Sequence, residues 1–196
     1  MNTFKEDFKL GFSIIITNLC CSLGCFFLAL MFSGLVVKKW GSIIYTFIAV
    51  ILIFDLIYNR CWQAGNRDRR DIKIFNNHLS EGAAPKSADK LKGLKAGLIC
   101  SLFGLVFVVF FAVGKNIGGS VKIISNIILR FWNAPYLVLL GMDGNTDILP
   151  AVIISFLPVI YAAFGYITGI KGKNYVEDAV YKLIYKNRFQ KKGGKR

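Results

Sequence analysis

The stretch GFSIIITNLCCSLGCFFLALMFSGLVV, Gly11 to Val37, runs for 27 residues without a charged side chain. At roughly 1.5 Å rise per residue, about 20 residues in a helix cross a hydrocarbon layer of about 30 Å, so this tract is long enough to span a bilayer. Two further tracts have the same character: Ala96 to Gly114 holds 19 uncharged residues and Ile148 to Ile170 holds 23. A fourth, Trp40 to Asn59, is interrupted only by Asp55, after the apolar run Ile43 to Phe54. Backbone amides in lipid must be bonded within the segment, and no polar-apolar alternation runs through these tracts, which predicts helices and argues against a β-barrel.

Working outward, the whole chain fits this reading. Of 196 residues 55% are hydrophobic, the mean hydropathy is +0.51, and the 36 charged residues fall in a few clusters between the apolar tracts. A soluble domain intersperses its charges at helical or strand spacing. We therefore expect an all-α, polytopic membrane bundle with spans near 12–37, 41–59, 95–114 and 148–170. A cleaved signal peptide fits the first tract poorly, because the run is about twice the usual 7 to 15 residues and no small-x-small site follows before Lys38. The tripeptide Leu23-Gly24-Cys25 hints at a lipoprotein site, but Ser22 stands where an aliphatic residue belongs.

Lysine and arginine set the expected orientation, since loops rich in them resist translocation. Two precede the first span, nine lie between Arg60 and Lys95, and nine lie between Lys171 and Arg196. Only Lys38, Lys39, Lys115, Lys122 and Arg130 fall on the other side. The asymmetry holds only for an even number of spans, so both ends are expected in the cytoplasm of a cell membrane. Residues 1–196 then form one membrane domain, with a basic cytoplasmic loop at 60–94, an extracytoplasmic connection at 115–147 and a basic tail at 171–196.

Within the loop, Asn66 is positioned to cap a short surface helix in which Ile72, Phe75 and Leu79 share a face and Arg67 precedes Asp71 by four residues. Gly82 and Pro85 end it, and Ser87 followed by Asp89 starts the next helix. In 121–142, the residues Lys122, Asn126, Arg130, Asn133 and Pro135 argue against a fifth crossing. Ile124, Ile128 and Phe131 or Trp132 share a face, so this segment reads as a helix on the outer surface with Trp132 and Tyr136 as interface anchors, or as a re-entrant loop over 131–142. Asn174 and Glu177 have capping-box spacing ahead of Val180, Leu183 and Ile184.

The segments GNRDRR (65–70), DKLKGLKAG (89–97), FWNAP (131–135) and KLIYK (182–186) resemble a group of small, uncharacterised bacterial membrane proteins. The resemblance covers about half of the chain. It implies four helices and a bacterial cytoplasmic membrane, and it carries no activity to transfer.

Asp55 is the sharpest candidate, because an ionisable group within a span tends to serve ion coupling, substrate contact or helix pairing. A plainer reading is that it reaches the headgroups or pairs with Arg60 or a loop lysine. Asn18 and Thr17 can line a polar path or bond between helices. Gly165 and Gly169, four apart, permit close helix approach, and Pro150 and Pro158 loosen the last span. Arg67, Arg69, Arg70, Lys90, Lys92 and Lys95 are candidate contacts to anionic inner-leaflet lipids. The five cysteines, at 20, 21, 25, 61 and 100, read as packing residues. With His78 the only histidine and no phosphate-binding glycine loop, no enzyme, metal or cofactor is expected. Topogenic and lipid roles account for the +14 net charge better than nucleic acid does. These readings point to an accessory or interaction subunit, binding a membrane protein or itself. The alternative is a transporter or channel component using Asp55.

Overall fold

The computed structural model describes residues 2–31, 39–78, 85, 87–141 and 146–176. Their regular structure is entirely helical: α1 (Asn2–Met31), α2 (Lys39–Asn77), α3 (Lys92–Ile117), α4 (Gly119–Trp132), a 3-10 turn (Ala134–Tyr136) and α5 (Ile148–Lys171). Four of these, α1, α2, α3 and α5, are long and apolar enough to cross a membrane. The chain is an all-α polytopic bundle of four spans. The expected turn at Lys38, the positions Leu79 and Gly82, and the segment with Glu177, Val180, Leu183 and Ile184 lie outside the described residues.

The helices overrun the apolar tracts. α1 begins at Asn2, taking in Lys5, Glu6, Asp7 and Lys9, which are compatible with helix wherever water solvates them. α2 corrects the expected pause after Asn59: it is one helix of 39 residues, and Asn66 lies inside it rather than capping a new one. At about 1.5 Å per residue α2 is about 58 Å long, nearly twice a hydrocarbon core, so its charged half extends past the apolar half. α3 starts at Lys92, not near Ser87; Asp89 Oδ1 accepts the Leu91 amide at 2.9 Å in the turn before it. Pro158 falls inside α5 without ending it.

α5 is the central helix. Gly165 and Gly169 meet the α2 backbone at Tyr58 and Trp62, while Gly65 of α2 faces the Tyr166 carbonyl. On its other side α5 receives Gly93 and Gly97 of α3, which face Tyr166, Ala162 and Val159. α1 packs on α3, where Gly11 lies against Ile99. Its buried stripe is Asp7, Leu10, Gly11, Ile14, Asn18, Cys21, Ser22 and Cys25, at alternating spacings near three and four.

That stripe is more polar than the outward face of the same helix, which carries Phe8, Phe12, Ile16, Leu23 and Phe27. The inversion recurs: Ser42, Ser101, Ser125, Ser155 and Thr168 are buried, while Phe47, Leu102, Val106, Val109, Ile153 and Ile160 are exposed. Only 22% to 39% of each apolar window is buried inside the bundle, so most of that surface needs an apolar solvent outside it.

The connection after α3 starts on the outside of the bundle, with residues 119–124 exposed, and packs into it from Ser125 to Tyr136. Trp132 and Tyr136, expected as interface anchors, are core residues at 5% and 2% exposure. The Trp132 ring packs against Phe103 and Phe107 of α3 at centroid distances of 5.2 Å. Ser22 Oγ donates to the Trp132 carbonyl at 2.7 Å, and the Tyr45 hydroxyl reaches the carbonyls of Cys25 and Ala134, both at 3.0 Å. The segment thus turns into the bundle, where α1 and α2 supply donors for the Trp132 and Ala134 carbonyls and the Tyr136 hydroxyl meets that of Tyr161 on α5. On α4 the packed face is Ser125, Leu129 and Trp132, whereas Ile123, Ile124 and Ile127 point away from the protein. Arg130 and Asn126 are also engaged: both bond Thr146 Oγ1, and Arg130 Nη2 donates to the Gly141 carbonyl at 2.8 Å. Tyr45→Phe, which removes the shared donor, is expected to lower stability by about 1 kcal/mol, read as a fall in melting temperature in detergent with helicity unchanged.

Candidate functional site

The first turns of α1, the charged half of α2, the start of α3 and the end of α5 gather at one end of the bundle. Their apolar cores end there, and the next residues in sequence are charged. Lys92 is the centre of this cluster. At 8% exposure it is an amphipathic side chain turned inward, and its ammonium donates to Asp68 Oδ2 of α2 at 2.7 Å and Glu6 Oε2 of α1 at 3.0 Å. The Tyr166 hydroxyl of α5 donates to the same Asp68 oxygen at 2.6 Å. Lys92, two carboxylates and one tyrosine therefore tie all four spanning helices together. A buried cation is tolerated because two acids compensate its lost hydration.

A second ion pair flanks the first. Lys95 Nζ lies 2.7 Å from Asp89 Oδ2 and 3.8 Å from Asp7 Oδ2. The Lys95 ammonium, helped by the Leu91 amide, holds the Asp89 carboxyl below the usual aspartate range. Its contribution is full above the unfolded value of about 3.9 and fades as pH falls through the lowered one.

Between α1 and the charged half of α2 lies a cleft of about 650 Å³, with Lys92 at its back. Lys9 and Ser13 line it from α1, and Arg60, Gln63, Arg67 and Asp71 from α2. These α2 positions recur at three- and four-residue steps along one face of the helix. Arg60 Nε donates to Ser13 Oγ at 3.0 Å across the cleft.

The residues singled out from sequence separate. Asp55 accepts from Asn59 Nδ2 at 2.8 Å, one turn along its own helix. The pair sits on the side of α2 bearing Ile48, Leu52 and Leu56, which are all exposed, and opposite Ala49, Ile53 and Ile57, which are all buried. Asn18 is 3% exposed on the inward stripe of α1. Asp55 and Asn18 therefore face different surroundings. Gly165 and Gly169 are consumed within the chain by α2. Of the basic residues proposed to touch lipid, Lys92 and Lys95 are occupied by carboxylates. Arg67 lines the cleft, the Arg69 guanidinium lies against Gly172, and Arg70 and Lys90 are exposed.

Sequence reasoning missed Glu6, Lys9, Ser13, Arg60 and Asp68, which come together from helices tens of residues apart. The available signal was the acid pair Glu6-Asp7 at the same bundle end as Lys92 and Lys95. All five cysteines are free, and among the described residues no three of His, Cys, Asp and Glu converge as metal ligands. Ser101 Oγ is the one fully buried side-chain polar atom without a partner among the described residues. Comparison with family models, with curated proteins and with solved structures returned no match.

Proposed function

We propose that this chain is a non-enzymatic subunit of a membrane assembly, which recruits a membrane-protein partner or a second copy of itself through the outward face of α2. The observation that carries the reading is the position of Asp55 and Asn59: a hydrogen-bonded acid-amide pair, each half-buried, bordered by the exposed apolar residues Ile48, Leu52 and Leu56. An acid facing hydrocarbon near mid-span costs about 2.5 to 3.5 kcal/mol, less toward the interface, and a neighbouring helix with polar groups removes that cost. Asp55 lies about 7 Å along the axis from Arg60, near the level where the apolar half of α2 ends.

The same reading places the chain in a bacterial cytoplasmic membrane, with both termini and the charged bundle end on the cytoplasmic side. The lysine and arginine asymmetry and the resemblance of GNRDRR and its companion segments support that placement. A transporter or channel would need Asp55 and Asn18 on one route, and their different surroundings count against it.

Gentle extraction followed by native mass spectrometry tests the proposal. The wild type is expected well above the single-chain mass of 21.9 kDa. Asp55→Leu with Asn59→Leu, which makes the face more apolar and cannot impair insertion, is expected to release a folded monomer. A wild type that is itself a bare monomer would overturn the reading.

A further inference from the structure

We infer that the cleft between α1 and α2 binds the phosphate of a phospholipid headgroup, one lipid per chain. This rests on the bundle being in a membrane but not on the partner proposed above. Its volume of about 650 Å³ lies within the range of about 300 to 1,000 Å³ typical of ligand sites.

The charge arithmetic inside the cleft selects an anion. Lys92 is engaged by Glu6 and Asp68, which leaves Lys9, Arg60 and Arg67 on the walls. Among the described residues none of these three has a carboxylate within 4 Å, and Asp71 is the one further acid lining the cleft. The Arg60 guanidinium is oriented by its Nε bond to Ser13, so its two terminal nitrogens remain as a fork. A fork of this kind matches two oxygens of a phosphate, which a lone ammonium does not.

The position of the cleft makes a lipid the source of that phosphate. Ser13 and Arg60 stand where the uncharged run of α1 begins and the apolar run of α2 ends, at headgroup level. One turn deeper, Ile16 on α1 and Leu56 on α2 are 46% and 44% exposed. They offer an apolar track for acyl chains leading out of a polar cleft, and a soluble phosphate has no use for it.

The test uses the full chain, delipidated in mild detergent and titrated with phosphatidylglycerol, with binding read by native mass spectrometry and by thermal shift. Saturable uptake of one lipid is expected. Arg60→Gln with Arg67→Gln should weaken it at least tenfold, and Lys9→Gln alone, which breaks no contact, at least threefold. Arg70→Gln with Lys73→Gln, which removes the same charge from an exposed part of α2, should change it less than twofold. Glycerol phosphate at equal concentration should not compete. Equal weakening by the two double variants would reduce the effect to diffuse surface charge and overturn the site. Competition by glycerol phosphate would reassign the cleft to a soluble phosphate, and absence of saturable binding would remove it; either result overturns the lipid assignment.

Discussion

Gly169→Leu is expected to break the crossing of α2 and α5 and leave the chain unable to fold. A Cβ at Gly169 would sit against the Trp62 carbonyl and about 3.0 Å from the Asn66 amide nitrogen, and both are backbone atoms that no rotamer change can move. Gly165 is in the same position one turn earlier, with Tyr58 Cα at 3.0 Å from an added Cβ. Overpacking costs about 1 to 3 kcal/mol where side chains can adjust, and a rigid backbone partner puts this site at or above the top of that range. Helix packing inside lipid draws on close van der Waals contact rather than on exclusion of water, so the opened crossing has little to fall back on. Gly24→Leu provides the comparison: a Cβ there meets nothing within 4 Å, and the substitution should be silent. Yield of folded protein and melting temperature in detergent measure both. Equal tolerance of the two substitutions would mean that α5 is not seated on α2 as described.

Lys92→Met is expected to cost about 2 to 4 kcal/mol at neutral pH. The side chain keeps its length and loses its charge, which leaves Asp68, 18% exposed, without the cation that compensates it. Removing one partner of a buried pair costs about 3 to 5 kcal/mol, and the lower figure here allows for the partial exposure of Asp68 and the 65% exposure of Glu6. A double variant, Lys92→Met with Asp68→Asn, should recover part of the loss, because the amide keeps the Tyr166 hydrogen bond without the orphaned charge. Strict additivity of the two substitutions would show that the pair is not coupled. Tyr166→Phe alone should cost about 1 kcal/mol.

How much of this was legible beforehand depends on the length scale of the signal. Uncharged tracts such as Gly11 to Val37 report solvent preference directly, so the number and type of spans could be read residue by residue. Helix ends could not, because charged stretches such as Lys5 to Lys9 and Arg60 to Asp71 continue a span into water as readily as they flank it. Gly65 serves as a contact inside α2, allowing the helix to approach the Tyr166 carbonyl. The segment around Trp132 and Pro135 left two readings open, since its burial depends on Ser22, Tyr45 and Tyr161 of three other helices. The cleft was illegible for the same reason: Lys9, Arg60 and Lys92 carry no mutual spacing rule, and only the fold brings them together. Asp55 stood out as an acid within a span, but its half-buried place beside Asn59, apart from Asn18, required the structure.

The exposed apolar faces of α1, α2, α3 and α5 call for lipid as their solvent. Expression of the chain followed by an alkaline carbonate wash and ultracentrifugation without detergent tests it most directly. The protein should remain entirely in the membrane pellet and leave it only on adding detergent, whereas a monomer in the detergent-free supernatant would contradict the account.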